Sequence, residues 1–130
     1  MSPDDRKFAA DWLEPVPAAD CGNLQVETAG LPTDYVDWLQ QIGWGELDGS
    51  FMFYSGPTSV ALIYGHNAPT GRLVAIGDDM AGYVVGIDLS RKDVVEWSPK
   101  GEEASRWTSF TEFVVERVSE LRRASEARGQ

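Results

Sequence analysis

LPTDYVDWLQQIGWGELDGSFMFY, residues 31–54, contains both of the periods from which this chain is built. In its first half Tyr35, Trp38, Leu39 and Ile42 recur at i, i+3, i+4 and i+7, which is one stripe of a helix. Pro32 suits a first helical turn, where its missing N–H costs nothing, and Gly43 suits the left-handed residue that ends a helix. A helix over 32–42 is therefore predicted. From Leu47 the period shortens: residues 51–54, 60–64 and 73–76 are short apolar runs separated by Gly, Pro and Asn, and they read as strands.

Downstream, the β-rich runs 83–89 and 94–97 flank a polar link, 90–93, of hairpin length, which predicts antiparallel pairing. The last element opens with Ser109 and, three residues on, Glu112, a capping-box spacing in which each side chain can satisfy the other's backbone donor. Phe110, Phe113, Val114, Val118 and Leu121 then make an apolar stripe. Upstream, Phe8, Trp12 and Leu13 lie at helical spacing within 4–13, behind Asp4 and Asp5, where carboxylates favour exposed N–H groups. Pro15 and Pro17 interrupt that pattern, so 14–30 is expected to be mostly connector. The order helix, helix, strands, helix predicts one α+β domain, with an antiparallel twisted sheet of about four to six strands packed against helices rather than βαβ crossovers.

Composition narrows the classes of function. Apolar residues at 42% and charged ones at 25% place the chain among folded globular proteins. No apolar run approaches the ~20 residues of a membrane-spanning helix. The N-terminus MSPDDRKFAADW has neither the basic start nor the apolar stretch of a secretory signal, and a lone Cys21 makes no disulfide framework, so a cytoplasmic location is expected. Twenty-one Asp and Glu against eleven Lys and Arg give a net charge of −10. Within 111–130, Glu112, Glu116, Glu120 and Glu126 offset Arg117, Arg122, Arg123 and Arg128, which leaves the whole excess on residues 1–110. Such a charge repels nucleic acid and anionic membranes and favours a basic partner.

LPTDYVDWL with Gly43 and Gly45 behind it resembles the LPxDYxxFL…G.G opening of SUKH domains, the superfamily that includes the cell-wall-assembly regulators of yeast. IGDDMAGYVVGIDL (76–89) is similar to that family's acidic-glycine hairpin, VVEWSP (94–99) to its strand ending in Trp, and SFTEFV (109–114) to its closing helix. The matched segments run in family order across 31–121, with 1–30 as an N-terminal helix and connector and 122–130 as a C-terminal tail. Met80 and Ala81 stand where many relatives carry a glycine pair. The resemblance implies a single SUKH-like domain over 1–130 without catalysis or cofactor. In bacteria such domains act chiefly as immunity proteins against polymorphic toxins, often nucleases, and in fungi as regulatory scaffolds.

Catalysis requires groups that converge. His66 is the only histidine and stands among turn formers in HNAPTG, and one Cys with one His cannot make the usual zinc ligand set. Neither GxxxxGK[ST] nor GxGxxG occurs. Asp78 and Asp79 can form an acid pair, but neighbours in a strand-to-turn segment diverge, and aspartates that hydrogen-bond within a turn are the simpler reading. A small hydrolase would need His66 brought to one of them in a pocket. Trp38, Trp97 and Trp107 fall on apolar periodicities and are expected in the core, whereas Trp44, between two glycines, is expected to be exposed. The expected partner-binding set is Trp44, Glu46, Asp48, Asp78, Asp79 and Tyr83: aromatic anchors among carboxylates that mimic phosphate charge, set against a cognate toxin or another basic protein. Acids that merely keep a small domain soluble are the plainer alternative.

Overall fold

In a computed structural model, which describes residues 1–129, one sheet organises the chain. Six strands, β1 (Gly45–Leu47), β2 (Phe51–Ser59), β3 (Leu73–Asp78), β4 (Val84–Asp88), β5 (Asp93–Trp97) and β6 (Glu103–Trp107), lie side by side in chain order. Each is antiparallel to the next. Helices α1 (Pro3–Trp12), α2 (Ala18–Glu27), α3 (Thr33–Gln41) and α5 (Phe110–Arg128) form the layer over one face. The fold is thus the expected α+β domain.

Strand alternation decides which side chains meet that layer. The cross-strand row Val74, Ile87, Val94 and Trp107 faces the helices and joins the main core. The next row, Ala75, Gly86 and Val95, turns to the opposite face, where Val60, Val84 and Trp97 complete a second, smaller core. Across the main core Tyr35 meets Phe110 edge-on at 5.2 Å, Trp107 meets Phe113 at 5.0 Å, and Phe51 lies 4.7 Å from Phe53. The α3 stripe of Tyr35, Trp38, Leu39 and Ile42 is fully engaged, as its spacing predicts. Arg117 of α5 lies 5.2 Å from the Phe51 and Phe113 rings and is paired with Glu96 of β5 at 3.1 Å.

Several expectations are corrected. Residues 14–30 are not mostly connector: after Pro17, which sits just outside the first turn, AADCGNLQVE forms α2 and buries only Cys21 fully. Residues 60–64 are not a strand but a short helix, α4 (Val60–Tyr64), followed by a 3-10 turn, Gly65–Asn67. An apolar run this short fits either geometry, and only packing decides between them. Strands β1 and β6 carry too few apolar residues to announce themselves. Trp12 is half exposed, because α1 presents Asp5, Ala9 and then Leu13 to the core at intervals of four. Trp97 is buried, but in the second core. Ser109 does accept from the Glu112 amide at 3.0 Å, yet the Glu112 carboxylate takes the Thr108 hydroxyl instead of closing a reciprocal box. The expected 122–130 tail is helical through Arg128, with Arg122 on Asp5 at 2.5 Å; Gln130 lies outside the described residues.

Gly86 lies on the second-core face of β4, directly against the Trp97 ring. A Cβ there would strike the Val74 carbonyl oxygen and lie 2.5 Å from the Trp97 ring, which is itself buried. Gly86→Ala is expected to lower unfolding stability by about 1–3 kcal/mol through overpacking, read as a lower denaturant midpoint at unchanged slope. A midpoint equal to that of the parent would show that Trp97 can move aside.

Candidate functional site

The β3–β4 hairpin is built by its own aspartates. Asp78 accepts from the Met80 amide at 2.8 Å, and its other oxygen takes the Tyr54 hydroxyl at 2.7 Å. Asp79 accepts from the amides of Ala81 at 2.9 Å and Tyr83 at 3.0 Å, while its own N–H donates to the Tyr83 carbonyl. Carboxylates that bind backbone N–H groups two residues on replace a backbone turn, which lets Met80 adopt φ 64°. The two acids therefore diverge, each organising its own part of the turn.

Asp78 also belongs to a cross-strand row: Glu46, Met52, Asp78, Val84, Trp97 and Glu103 face away from the helix layer. With strands about 4.8 Å apart, Glu46 and Asp78 stand about 10 Å from one another across Met52. Over the middle of this face lies α4, anchored where the Tyr64 hydroxyl donates to the Ser98 carbonyl at 2.9 Å. The hairpin tip and the β5–β6 turn meet alongside it, since a Cβ on Gly82 would lie 3.0 Å from Pro99. The helix leaves Leu62 81% exposed and Ile63 partly so, and the hairpin leaves Met80 and Tyr83 exposed. The result is an apolar rim around a face that carries acids.

Charge is unevenly compensated across this face. Arg106 reaches Asp93 at 2.7 Å, Glu103 at 2.7 Å and Asp88 at 3.7 Å. Its guanidinium is held further toward the charged form, first by Glu103 and then by Asp93, and Glu103 is lowered in turn by Arg106. Glu46, Asp78 and Asp79 make no ion pair among the described residues. Between them the Tyr54 phenol is pushed well above its ordinary value, first by burial and then by its hydrogen bond to Asp78. Tyr64 is raised too, by burial and then by Asp79.

The six expected partner-binding residues therefore separate. Glu46, Asp78, Asp79 and Tyr83 belong to the open face and its hairpin. Asp48 sits in the β1–β2 turn at φ 54° and is paired with Arg128, so its charge is used internally. Trp44 is half-buried rather than exposed: its backbone bridges that of Glu14, and its ring packs against the main core beside α2. Sequence reasoning missed Tyr54, Tyr64, Leu62, Ile63 and Met80; Tyr54 lies in a run rightly read as a strand, whereas Leu62, Ile63 and Tyr64 lie in one read as a strand that is a helix, whose exposed side leaves no signal. His66 is exposed on the 3-10 turn, and it does not line the clefts beside Asp4 and Arg122, Trp38 and Phe110, or Glu14 and Trp44. Among the described residues no group of three or more His, Cys, Asp or Glu is placed to hold a metal, and no helix is long and apolar enough to cross a membrane. No protein-family model matches the chain, and no curated protein is significantly similar to it.

A phenol that ionises less readily in the folded than in the unfolded chain contributes its full stability below the unfolded value, about 10, and loses it as pH rises through the folded value. Because Tyr54 is raised, stability is expected to fall above about pH 10, and Tyr54→Phe is expected to shrink that fall while leaving the neutral-pH transition cooperative. The check is a series of urea titrations from neutral to alkaline pH; identical alkaline slopes for the two proteins would overturn the assignment.

Proposed function

We propose that this chain is a non-catalytic protein-binding domain of the SUKH type, cytoplasmic, that neutralises a toxin by covering its basic active face. The observation that carries this reading is the open sheet face, where the uncompensated carboxylates of Glu46, Asp78 and Asp79 lie among the exposed apolar side chains of Leu62, Met80 and Tyr83. A toxin that acts on nucleic acid must present cations where the phosphates bind, and carboxylates spaced along a rigid sheet occupy those positions without offering a scissile group. Acidic charge speeds the encounter, whereas desolvated aromatic and aliphatic anchors set the rate of release. The sheet supports this because its strands hold the row in a fixed register, so little ordering entropy is lost on docking. Service as a regulatory scaffold for host proteins is the alternative use of the same surface, and no feature of the face favours it over toxin capture.

The test is to co-express the chain with the product of the adjacent gene and to measure the association and release rates of the complex by surface plasmon resonance at rising salt. Glu46→Lys is expected to slow association and flatten its salt dependence, and Tyr83→Ala to weaken affinity about ten-fold through faster release. Tight binding that ignores salt and both substitutions would refute the open face as the interface. Recovery of host regulatory proteins, with no toxin gene nearby, would replace neutralisation by scaffolding.

A further inference from the structure

A second surface lies beside α2 at the β1 edge of the sheet, where the link between α1 and α2 runs next to the residues that lead into β1. Glu14 and Trp44 are locked together there by two backbone hydrogen bonds, Glu14 N–H to the Trp44 carbonyl at 2.9 Å and Trp44 N–H to the Glu14 carbonyl at 3.0 Å. The pairing requires Gly43 at φ 123°, since a Cβ at that position would overlap the Glu14 carbonyl. Behind this bridge is a groove of about 430 Å³, floored by Val16, Pro15 and Leu24 and flanked by the Trp44 indole, Glu14 and Asp20. No Lys or Arg lines it, and neither carboxylate enters an ion pair among the described residues. Asp20 stands in the first turn of α2, where it answers the helix dipole, but Glu14 has no such use.

We propose that this groove binds a lysine or arginine side chain carried on an extended segment of a partner protein. The aliphatic stem of such a residue matches the apolar floor, its cation can lie over the indole face, and the carboxylates of Glu14 and Asp20 supply the opposite charge. An uncharged apolar side chain would fill the floor but leave both carboxylates unanswered, and an anion would meet repulsion from each. The groove is separate from the open sheet face, so its occupancy does not depend on what that face binds.

The test uses three capped tripeptides on a glycine frame, with lysine, arginine or norleucine at the centre, titrated into the isotope-labelled full chain and followed by the indole N–H resonances. The Trp44 signal is identified by its loss in Trp44→Phe. It is expected to move saturably with the lysine and arginine peptides and not with the norleucine peptide, and Glu14→Gln with Asp20→Asn is expected to weaken binding by about three-fold or more. Glu102→Gln, an exposed position in the β5–β6 turn at the opposite edge of the sheet, is included as a control and is expected to leave the titration unchanged. An immobile Trp44 signal, an equal response to norleucine, or affinity unaffected by the double substitution would overturn the proposal. The amide spectrum of each variant confirms that it is folded, so loss of binding cannot be mistaken for loss of structure.

Discussion

Everything on this molecule's surface follows from a sheet whose central strands are apolar on both sides. A strand with one wet face alternates, and β4 and β5 do not: Val84, Val85 and Ile87 are all buried, as are Val94, Val95 and Trp97. Both faces of the centre must therefore be covered. Four helices cover one, and the whole helical hydrophobic stripe of α3 and α5 is spent there. The other has only the five-residue α4 and the rings of Tyr54, Tyr64 and Trp97 to exclude water. So small a cover shields the middle of the face and leaves its margins open, which is why acids and exposed apolar side chains come together there.

The distribution of cations sharpens this. Arg117 is taken up beside Glu96 among three aromatic rings, Arg122 by Asp5 and Glu126, Arg106 by three acids around β5, and Arg128 by Asp48. The basic residues are largely spent on joining elements, α5 to β5 and α1 to α5 among them. Among the described residues the carboxylates that no arginine reaches include those of the Glu46 to Asp78 row and of the Glu14 and Asp20 groove. Pairs such as Arg117 with Glu96 are deeply enough placed that losing either partner would strand a charge, which ties the interior arrangement to the pattern outside.

The parts of this fold that could be read directly were those in which one local rule dominates. The α3 helix has a stripe, a proline start and a glycine stop that agree with one another, and the 83–97 hairpin has two β-rich runs around a short polar link; both are present as the residues predict. Where two geometries satisfy the same pattern, tertiary packing chose. The run 60–64 is apolar throughout, yet only Val60 is buried, so its hydrophobicity belongs to a docked helical turn with an exposed side. The edge strand β1 contains glycine, glutamate and leucine, and its identity comes from pairing with β2 rather than from its own residues. The candidate site was half legible for the same reason. Asp78, Asp79 and Tyr83 are neighbours in sequence and so remain neighbours in space, whereas placing Glu46 beside Asp78 requires the register of three strands, and separating Trp44 from both requires the bridge to Glu14.

The hairpin acids hold two roles at once, and this shapes what can be learned from them. Asp78 and Asp79 give oxygens to the turn amides and to Tyr54, so their carboxylates are aimed by the fold before any partner arrives. Preorganised charge of this kind is worth more to a partner than the same charge on a free side chain, because no rotamer entropy remains to be lost. It also means that removing either acid disturbs the turn as well as the surface. Glu46, by contrast, lies in the same row but makes no hydrogen bond within the described residues, and its backbone pairing with Met52 is independent of its side chain. If recognition follows the row rather than the turn, Glu46 is the residue at which charge can be separated from structure, and the sheet register is what makes it an adequate stand-in for its neighbour across Met52.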